Sequence, residues 1–176
     1  MKRIVLALMS MGVFSQGALA DMYPTTVKNL DLASYAGTWY EIASSKPFFQ
    51  KSCVCVSANY APLEDGSMKI ENSCRFADVT AEPFVTVGNA IQSEEPGKLT
   101  VSLGDLEPTV PNYWIVELAD DYSHAVVTTA LRWPVWVLSR SPEMSEDTLS
   151  GIYSRLEADG FVVDLMRPTV QQGCWE

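Results

Sequence analysis

The sequence contains a single histidine and only 12 basic residues against 22 acidic ones, which gives a formal net charge of -10. This shortage of positive charge argues against a nucleic-acid partner, because phosphate backbones would repel the chain. Charged residues are sparse at 19%, whereas hydrophobic residues reach 47%. That balance excludes intrinsic disorder. A length of 176 residues then predicts one folded domain.

Catalytic and metal-binding motifs are also missing, since no nucleophile motif, phosphate-binding loop or pair of metal ligands occurs in the sequence. The single histidine, His124, is expected on the surface of a strand. Zinc binding is disfavoured because Cys53 and Cys55 are separated by one residue and no histidine cluster accompanies them. The sequence therefore predicts a protein without catalytic residues, cofactor or metal.

Long hydrophobic runs are absent except at the N-terminus. There, two basic residues precede an apolar run from Ile4 to Phe14, and small residues around Ala20 form a cleavage site. This pattern predicts a secretory signal peptide over residues 1–20 and a mature domain over 21–176. A lipid-anchored bacterial protein would have a cysteine where this chain has Asp21. We therefore expect a soluble exported protein, either periplasmic or secreted.

Downstream of the signal peptide, turn residues divide the sequence into short β-rich segments at even spacing, which is typical of an antiparallel sheet. Eight strands are predicted, over Thr38–Ser44, Cys53–Ala61, Met68–Phe76, Phe84–Ile91, Lys98–Leu103, Tyr113–Leu118, His124–Ala130 and Val135–Arg140. Closing the sheet into a barrel would remove its two exposed edges, and a barrel of this strand number can hold one small ligand. The residue pattern leaves a two-sheet sandwich equally open.

The hydrophobic period changes once, after Ser141-Pro142, and predicts an α-helix. Ser145 is a suitable N-cap, and Gly160 ends the helix. Apolar residues recur at helical spacing, at Leu149, Ile152, Tyr153 and Leu156. A single apolar stripe must dock on another element, so the helix is expected on the outer wall of the sheet. The apolar segment Phe161–Val163 is expected to add an edge strand.

Three segments resemble the signatures of the lipocalin family and occur in the family's order. Gly37-Thr38-Trp39 resembles the first signature, Asp121-Tyr122 the second, and Trp136–Arg140 the third. The likeness extends over about Leu30 to Gln172, and within the family it is to the branch of bacterial outer-membrane lipocalins and apolipoprotein D. The resemblance implies an all-β fold, an eight-stranded antiparallel up-and-down β-barrel with one C-terminal α-helix packed on the outside.

The resemblance also assigns structural roles to Gly37, Trp39, Asp121, Tyr122 and Arg140. In the family, the arginine of the third signature packs over the tryptophan of the first at the closed end of the barrel. By position these residues are Arg140 and Trp39. Such a guanidinium on an indole face contributes about 0.5 to 2 kcal/mol. Both side chains are therefore expected to be structural and not ligand contacts.

The four cysteines lie in the exported part of the chain, where an oxidising compartment favours disulfides. Cys55 matches the position at which apolipoprotein D has a cysteine bonded to its C-terminal tail, so the resemblance implies Cys55 to Cys174 and Cys53 to Cys74. Strand alternation places Cys74 inside the barrel and Cys53 outside. A β-bulge would reconcile the two positions, and a Cys55 to Cys74 bond stays open.

Alternation along the strands also predicts which side chains face the cavity. The candidates for ligand contact are Val56, Ala58, Tyr60, Trp136 and Leu138, together with Tyr113 and Trp114, of which only one can face inward because they are adjacent. Four loop residues are expected either to form the lip of the opening or to pack as local core, namely Phe48, Phe49, Trp133 and Pro134. Glu41, part of the family pattern, is expected to be structural or to contact a ligand head group.

The resemblance implies that the protein binds, stores or transports a small hydrophobic or amphipathic ligand, with fatty acid or lysophospholipid as the first candidates and envelope maintenance as the setting. It leaves room for peripheral membrane association, and it says nothing about oligomeric state. Two alternatives stay open. A haem or pigment carrier would need a tyrosine or methionine ligand if His124 is external, and an enzymatic lipocalin of the isomerase type would need a catalytic group.

Overall fold

The computed structural model describes residues 22–175, so the predicted signal peptide lies outside the described residues. The strands are β1 (Gly37–Ser44), β2 (Cys53–Pro62), β3 (Met68–Phe76), β4 (Phe84–Gln92), β5 (Lys98–Leu103), β6 (Tyr113–Leu118), β7 (His124–Thr128), β8 (Trp136–Ser139) and β9 (Arg167–Pro168). The helices are α1 (Leu32–Tyr35) and α2 (Glu146–Ala158), with 3-10 helices at Phe48–Gln50 and Val163–Leu165. No helix within residues 22–175 is long and apolar enough to cross a membrane.

The first eight strands form a closed antiparallel barrel in sequence order, with β1 paired to both β2 and β8. Each of these strands therefore has two neighbours, which excludes the two-sheet sandwich and confirms the barrel expected from the resemblance. A tight turn connects β2 to β3, and Gly66 within it has a φ of 84°, which glycine adopts without strain. All eight predicted strands are present, with ends that differ by at most two residues.

Helix α2 begins at the predicted N-cap, where Thr148 N donates to Ser145 Oγ at 3.1 Å. Its apolar stripe is buried against the outer wall of the barrel, with Ile152 and Leu156 packed in one cluster with Val126 and Val137. Burial of each such side chain contributes about 1.5 to 3 kcal/mol. The prediction of one outer helix is confirmed, and the helix does not cover β4, where Val85, Val87 and Ile91 are exposed.

Strand β2 contains a bulge that decides the orientation of its cysteines. The pairing of β2 with β3 shifts register between Val54 and Ser57, and Cys55 has a positive φ of 54°. Because the bulge reverses the alternation, both Cys53 and Val56 face the cavity. The expectation that Cys53 points outward is therefore wrong. Cys53 bonds to Cys74 inside the barrel, and Cys55 bonds to Cys174 outside it.

The predicted edge strand at Phe161–Val163 is also wrong. Gly160, with φ of 79°, turns the chain, and Phe161 is then buried with the apolar face of α2 instead of extending along a strand. The added strand is β9, which pairs with Ala43 and Ser44 of β1. It fills a gap near the mouth, where the bulge moves β2 away from β1.

Candidate ligand-binding site

The barrel encloses a cavity of about 560 Å³, within the range of small-molecule sites. One end is closed by α1, and the loops at the other end surround the opening. Of the seven predicted contact residues, six line the cavity, namely Val56, Ala58, Tyr60, Tyr113, Trp136 and Leu138. Their contact with a ligand stays a prediction.

Trp114, the seventh candidate, lies on the outer surface. Its ring is 6.1 Å from the ring of Tyr23 and 4.0 Å from the Lys98 ammonium. Tyr113 pairs with Leu99, which is buried in the barrel interior, and residues paired across two strands point to the same face. Tyr113 therefore points inward, and alternation places Trp114 outside. The N-terminal segment covers Trp114, so this tryptophan is a structural residue, and the prediction that it contacts ligand is corrected.

The closed end is held by Arg140, as expected. Its guanidinium lies 3.8 Å from the centre of the Trp39 ring and donates to the carbonyl oxygens of Thr38 at 3.0 Å and Ser34 at 2.7 Å. Trp39 is fully buried, and its indole N–H donates to the carbonyl of Tyr35. These contacts tie β8, β1 and α1 together below the cavity.

Three tyrosine hydroxyls meet at the floor of the cavity. Tyr113 is the central one, with its oxygen 2.7 Å from that of Tyr35 and 3.0 Å from that of Tyr60. Burial raises the pKa of Tyr60 to about 12 and raises the pKa of Tyr35 and of Tyr113 well above the ordinary value. All three hydroxyls therefore stay protonated at neutral pH.

A second polar cluster lies in the wall towards the mouth, around the buried carboxylate of Glu41. It accepts hydrogen bonds from Ser44 Oγ at 2.9 Å and from Gln50 and Thr169, and it pairs with Lys46 Nζ at 3.2 Å. Gln50 also accepts a hydrogen bond from the indole of Trp136 in the cavity wall at 3.0 Å. The structural role expected for Glu41 is therefore the one that its contacts support.

One polar atom on the wall is unmatched. Asn72 Oδ1 is buried without a hydrogen-bond partner among residues 22–175. Asn72 lines the cavity from β3, directly opposite Ala58 of β2 and Thr86 of β4. A buried acceptor without a donor costs about 1 to 3 kcal/mol. Alternation along β3 indicates that Asn72 faces inward, but not that its oxygen lacks a donor.

The mouth carries an apolar collar of exposed side chains, which we define as Phe48, Phe49, Phe76, Phe84, Leu106, Leu131 and Trp133. Two members, Phe48 and Leu131, are 79% and 80% exposed. Others, such as Phe49 and Phe84, also line the cavity, as does Pro134. The loop aromatics therefore form a lip and do not pack as local core. Exposed apolar groups in this concentration mark an interaction surface.

A polar network on the outer surface of the barrel joins β6 and β7 to α2. His124 lies on the outer face of β7, with Nε2 at 3.3 Å from Glu117 Oε1. Glu117 also accepts two hydrogen bonds from the guanidinium of Arg155 on α2, at 2.6 and 3.0 Å. This contact raises the pKa of Arg155. Within residues 22–175, no group of histidine, cysteine and acidic side chains is arranged to hold a metal.

A closed eight-stranded barrel around one apolar cavity, open at one end, defines the class of up-and-down barrels that hold small ligands. The family model described as a lipocalin-like domain matches residues 30–171. The chain belongs to the lipocalin family.

Known proteins that are similar to this chain agree with that assignment. Apolipoprotein D of Mus musculus is 33% identical over 159 residues, which cover 86% of this chain and 82% of that protein. The outer membrane lipoprotein Blc of Citrobacter freundii is 29% identical over 149 residues, or 85% of this chain and 84% of that protein. The solved structure of the cockroach allergen Per a 4 has a TM-score of 0.65 at 18% identity, covering 85% of this chain and 94% of that one. This last likeness shows the fold alone.

Proposed function

We propose that the protein binds and carries a small lipid in the barrel, with the acyl chain inside and the head group at the mouth. Fatty acids and lysophospholipids are the first candidates. The observation that carries the proposal is the 560 Å³ cavity, lined mainly by apolar side chains and open at one end, in a member of the lipocalin family. Each buried methylene contributes about 0.8 kcal/mol before ordering costs. A carrier needs no catalytic group, and the proposed role is not enzymatic.

The distribution of charge supports an orientation with the mouth towards a lipid surface. The three loops at the closed end, residues 63–67, 93–97 and 119–123, contain six acidic and no basic residues. The four loops at the mouth contain three basic and four acidic residues beside the apolar collar. An anionic membrane would therefore repel the closed end more strongly than the mouth. Peripheral association through the collar would let cargo pass between membrane and cavity without crossing water.

Export is part of the proposal. A protein that carries lipid within an envelope must leave the cytoplasm, and two disulfides require an oxidising compartment. We infer cleavage after Ala20, which leaves one mature domain from Asp21 to Glu176. The intact mass of the exported protein tests this inference, because cleavage elsewhere or a lipid attachment would change the mass.

Titration of delipidated protein with a long-chain fatty acid and a lysophospholipid tests binding, with tryptophan fluorescence as the readout because Trp136 lines the cavity. Ala58→Phe fills the cavity from the inner face of β2 and is expected to weaken binding at least tenfold. Ala61→Phe is the matched control, since Ala61 pairs with Lys69 on the outer face of the same strand. It is expected to leave binding unchanged.

Two outcomes would contradict the proposal. One is a wild-type protein whose fluorescence does not respond to either lipid. The other is equal binding by Ala58→Phe and wild type, which would place the lipid outside the barrel. Replacing Trp136 with Phe checks the readout, since it should remove most of the fluorescence signal while calorimetry still detects binding.

A further inference from the structure

The hydroxyl cluster at the cavity floor has one hydroxyl proton that no residue of the cluster accepts. Each phenol has one donor and two acceptor positions. The cluster contains three phenols, from Tyr35, Tyr60 and Tyr113, joined by two hydrogen bonds. Two of the three protons are therefore used within the cluster, and one donor is left without a partner among residues 22–175.

Burial decides which hydroxyl keeps the spare proton. Tyr35 is fully buried beneath the floor and does not line the cavity, and its hydroxyl bonds only to Tyr113. A spare proton on Tyr35 would be a buried donor with no acceptor, which costs free energy. Tyr35 therefore donates to Tyr113, and Tyr60 donates to the same oxygen. The proton of Tyr113, whose ring lines the cavity, is then available to a ligand.

The surroundings of the floor favour a neutral acceptor over an anionic one. Glu41 is the one charged residue among the side chains that line the cavity, and its carboxylate is already engaged by Lys46 and three other donors. Arg140, the cation at the closed end, stacks on the ring of Trp39 and does not line the cavity. A carboxylate or phosphate at the floor would lose its hydration without gaining a counter-charge from the cavity wall. A ketone, ester or ether oxygen carries no charge and needs no counter-charge there.

We propose that the floor is a binding site for the neutral acceptor oxygen of an oxygenated lipid, which enters oxygen-first and accepts a hydrogen bond from the Tyr113 hydroxyl. This proposal rests on the proposed lipid-carrier function and adds to it a class of cargo, neutral ketones, esters and ethers, that binds with an oxygen at the floor instead of only with a head group at the mouth. Burial raises the pKa of each phenol above its ordinary value, so the hydroxyl cluster keeps its protons at neutral pH and into the alkaline range.

Asn72 offers a second contact on the path from floor to mouth. Its partner in the β2–β3 register is Ala58, two residues from Tyr60 towards the mouth, a rise of about 7 Å along the strand. Its unpartnered Oδ1 can accept from a ligand hydroxyl or amide. The preferred cargo within this class thus has a carbonyl at its deep end and a hydroxyl farther along the same chain or ring.

The test compares a long-chain methyl ketone with the fatty acid of equal carbon number, each displacing a fluorescent lipid from the intact mature protein. The double variant Tyr60→Phe with Tyr113→Phe removes both hydroxyls that line the cavity. We expect its affinity for the ketone to fall roughly fivefold, and its affinity for the fatty acid to stay within twofold of wild type. Tyr35→Phe is the matched control, because the remaining pair still has two protons and one internal hydrogen bond. It should retain the ketone affinity of wild type.

Infrared spectroscopy of a carbonyl-labelled ketone gives a readout that does not depend on affinity. In wild type and Tyr35→Phe, the carbonyl band should lie at lower frequency than in the double variant, since a hydrogen bond weakens the C=O bond. Equal bands, or equal loss of ketone and acid affinity in the double variant, would overturn the floor site and leave the carrier function standing. Failure of both lipids to displace the fluorophore from wild type would overturn both proposals.

Discussion

Glu41 and Thr169 are 128 residues apart in the sequence, and the hydroxyl of Thr169 donates to the buried carboxylate of Glu41. The contact lies where β1 and β2 diverge near the mouth. The C-terminal tail fills this gap, with Gln171 Nε2 donating to the carbonyls of Glu41 and Val56 at 2.8 Å each, and Cys55 N donating to the carbonyl of Val170. The tail is thus a part of the barrel wall, held by one carboxylate and one disulfide.

Replacing Glu41 with Gln should lower the free energy of unfolding by about 2 to 3 kcal/mol. The change leaves the mostly buried ammonium of Lys46 without its counter-charge and disturbs the hydrogen bonds from Gln50 and Thr169. Urea unfolding at neutral pH measures the effect. Glu71→Gln is the control, because Glu71 pairs with Lys69 on the exposed surface and should contribute less than about 0.5 kcal/mol. Equal losses in the two variants would show that Glu41 does not hold the C-terminal tail in the gap between β1 and β2.

The two disulfides should contribute unequally. Cys55–Cys174 closes 119 residues and Cys53–Cys74 closes 21, so the entropic model predicts a difference of about 1.5 kcal/mol in favour of the longer loop. Paired Cys→Ser variants, each lacking one bond, measure this difference by denaturant unfolding. Ligand affinity should change more when the shorter bond is removed, because Cys53 and Cys74 line the cavity. A larger loss of stability from the shorter loop would contradict the entropic account.

Alkaline pH should destabilise the protein through the floor tyrosines. The pKa of Tyr60 is about 12 in the folded state against 10.0 in an exposed phenol. Below pH 10 the phenol is protonated in both states, so its contribution is complete. As pH rises from 10 to 12 the unfolded state loses the proton first, which removes about 3 kcal/mol of stability.

Urea unfolding of wild type and Tyr60→Phe across this pH range measures the contribution of Tyr60 together with its coupling to Tyr35 and Tyr113, whose pKa values it also raises. The stability of wild type should fall more steeply with pH than that of the variant. Parallel pH profiles would mean that Tyr60 ionises in the folded protein as readily as in the unfolded chain.

The apolar collar should direct binding to membranes. Phe48→Ser combined with Leu131→Ser removes the two most exposed members, and co-sedimentation with phosphatidylcholine vesicles should fall at least fivefold. A matched control removes two exposed apolar side chains elsewhere, with Leu63→Ser and Ile91→Ser towards the closed end. The control should bind vesicles as wild type does. If both double variants lost binding equally, general surface hydrophobicity would explain it and the collar would have no special role.

Much of the fold could be predicted from local sequence. Turn residues and alternation placed the eight strands to within one or two residues, and Ser145 marked the start of α2, because these signals involve neighbours in the chain. The same alternation failed for Cys53 of β2, because the bulge at Cys55 reverses the inward face before it. The apolar segment Phe161–Val163 was expected to form an edge strand, but Phe161 instead packs with the apolar face of α2.

The residues of the candidate site could likewise be predicted only in part from the sequence. Period-two spacing was enough to select Val56, Ala58 and Tyr60 as cavity residues, and to show that Tyr113 and Trp114 must face opposite sides. It could not choose between those two, because the choice depends on the register with β5.

Contacts between distant segments required the tertiary structure. Three features arise where separate elements meet. They are the tail that fills the gap between β1 and β2 beside Glu41, the three phenols that share two hydrogen bonds, and the unpartnered oxygen of Asn72. Strand and helix signals reflect the conformation of a few adjacent residues. The polar groups offered to a ligand depend on which donors and acceptors folding has already paired, and that pairing is a property of the closed barrel.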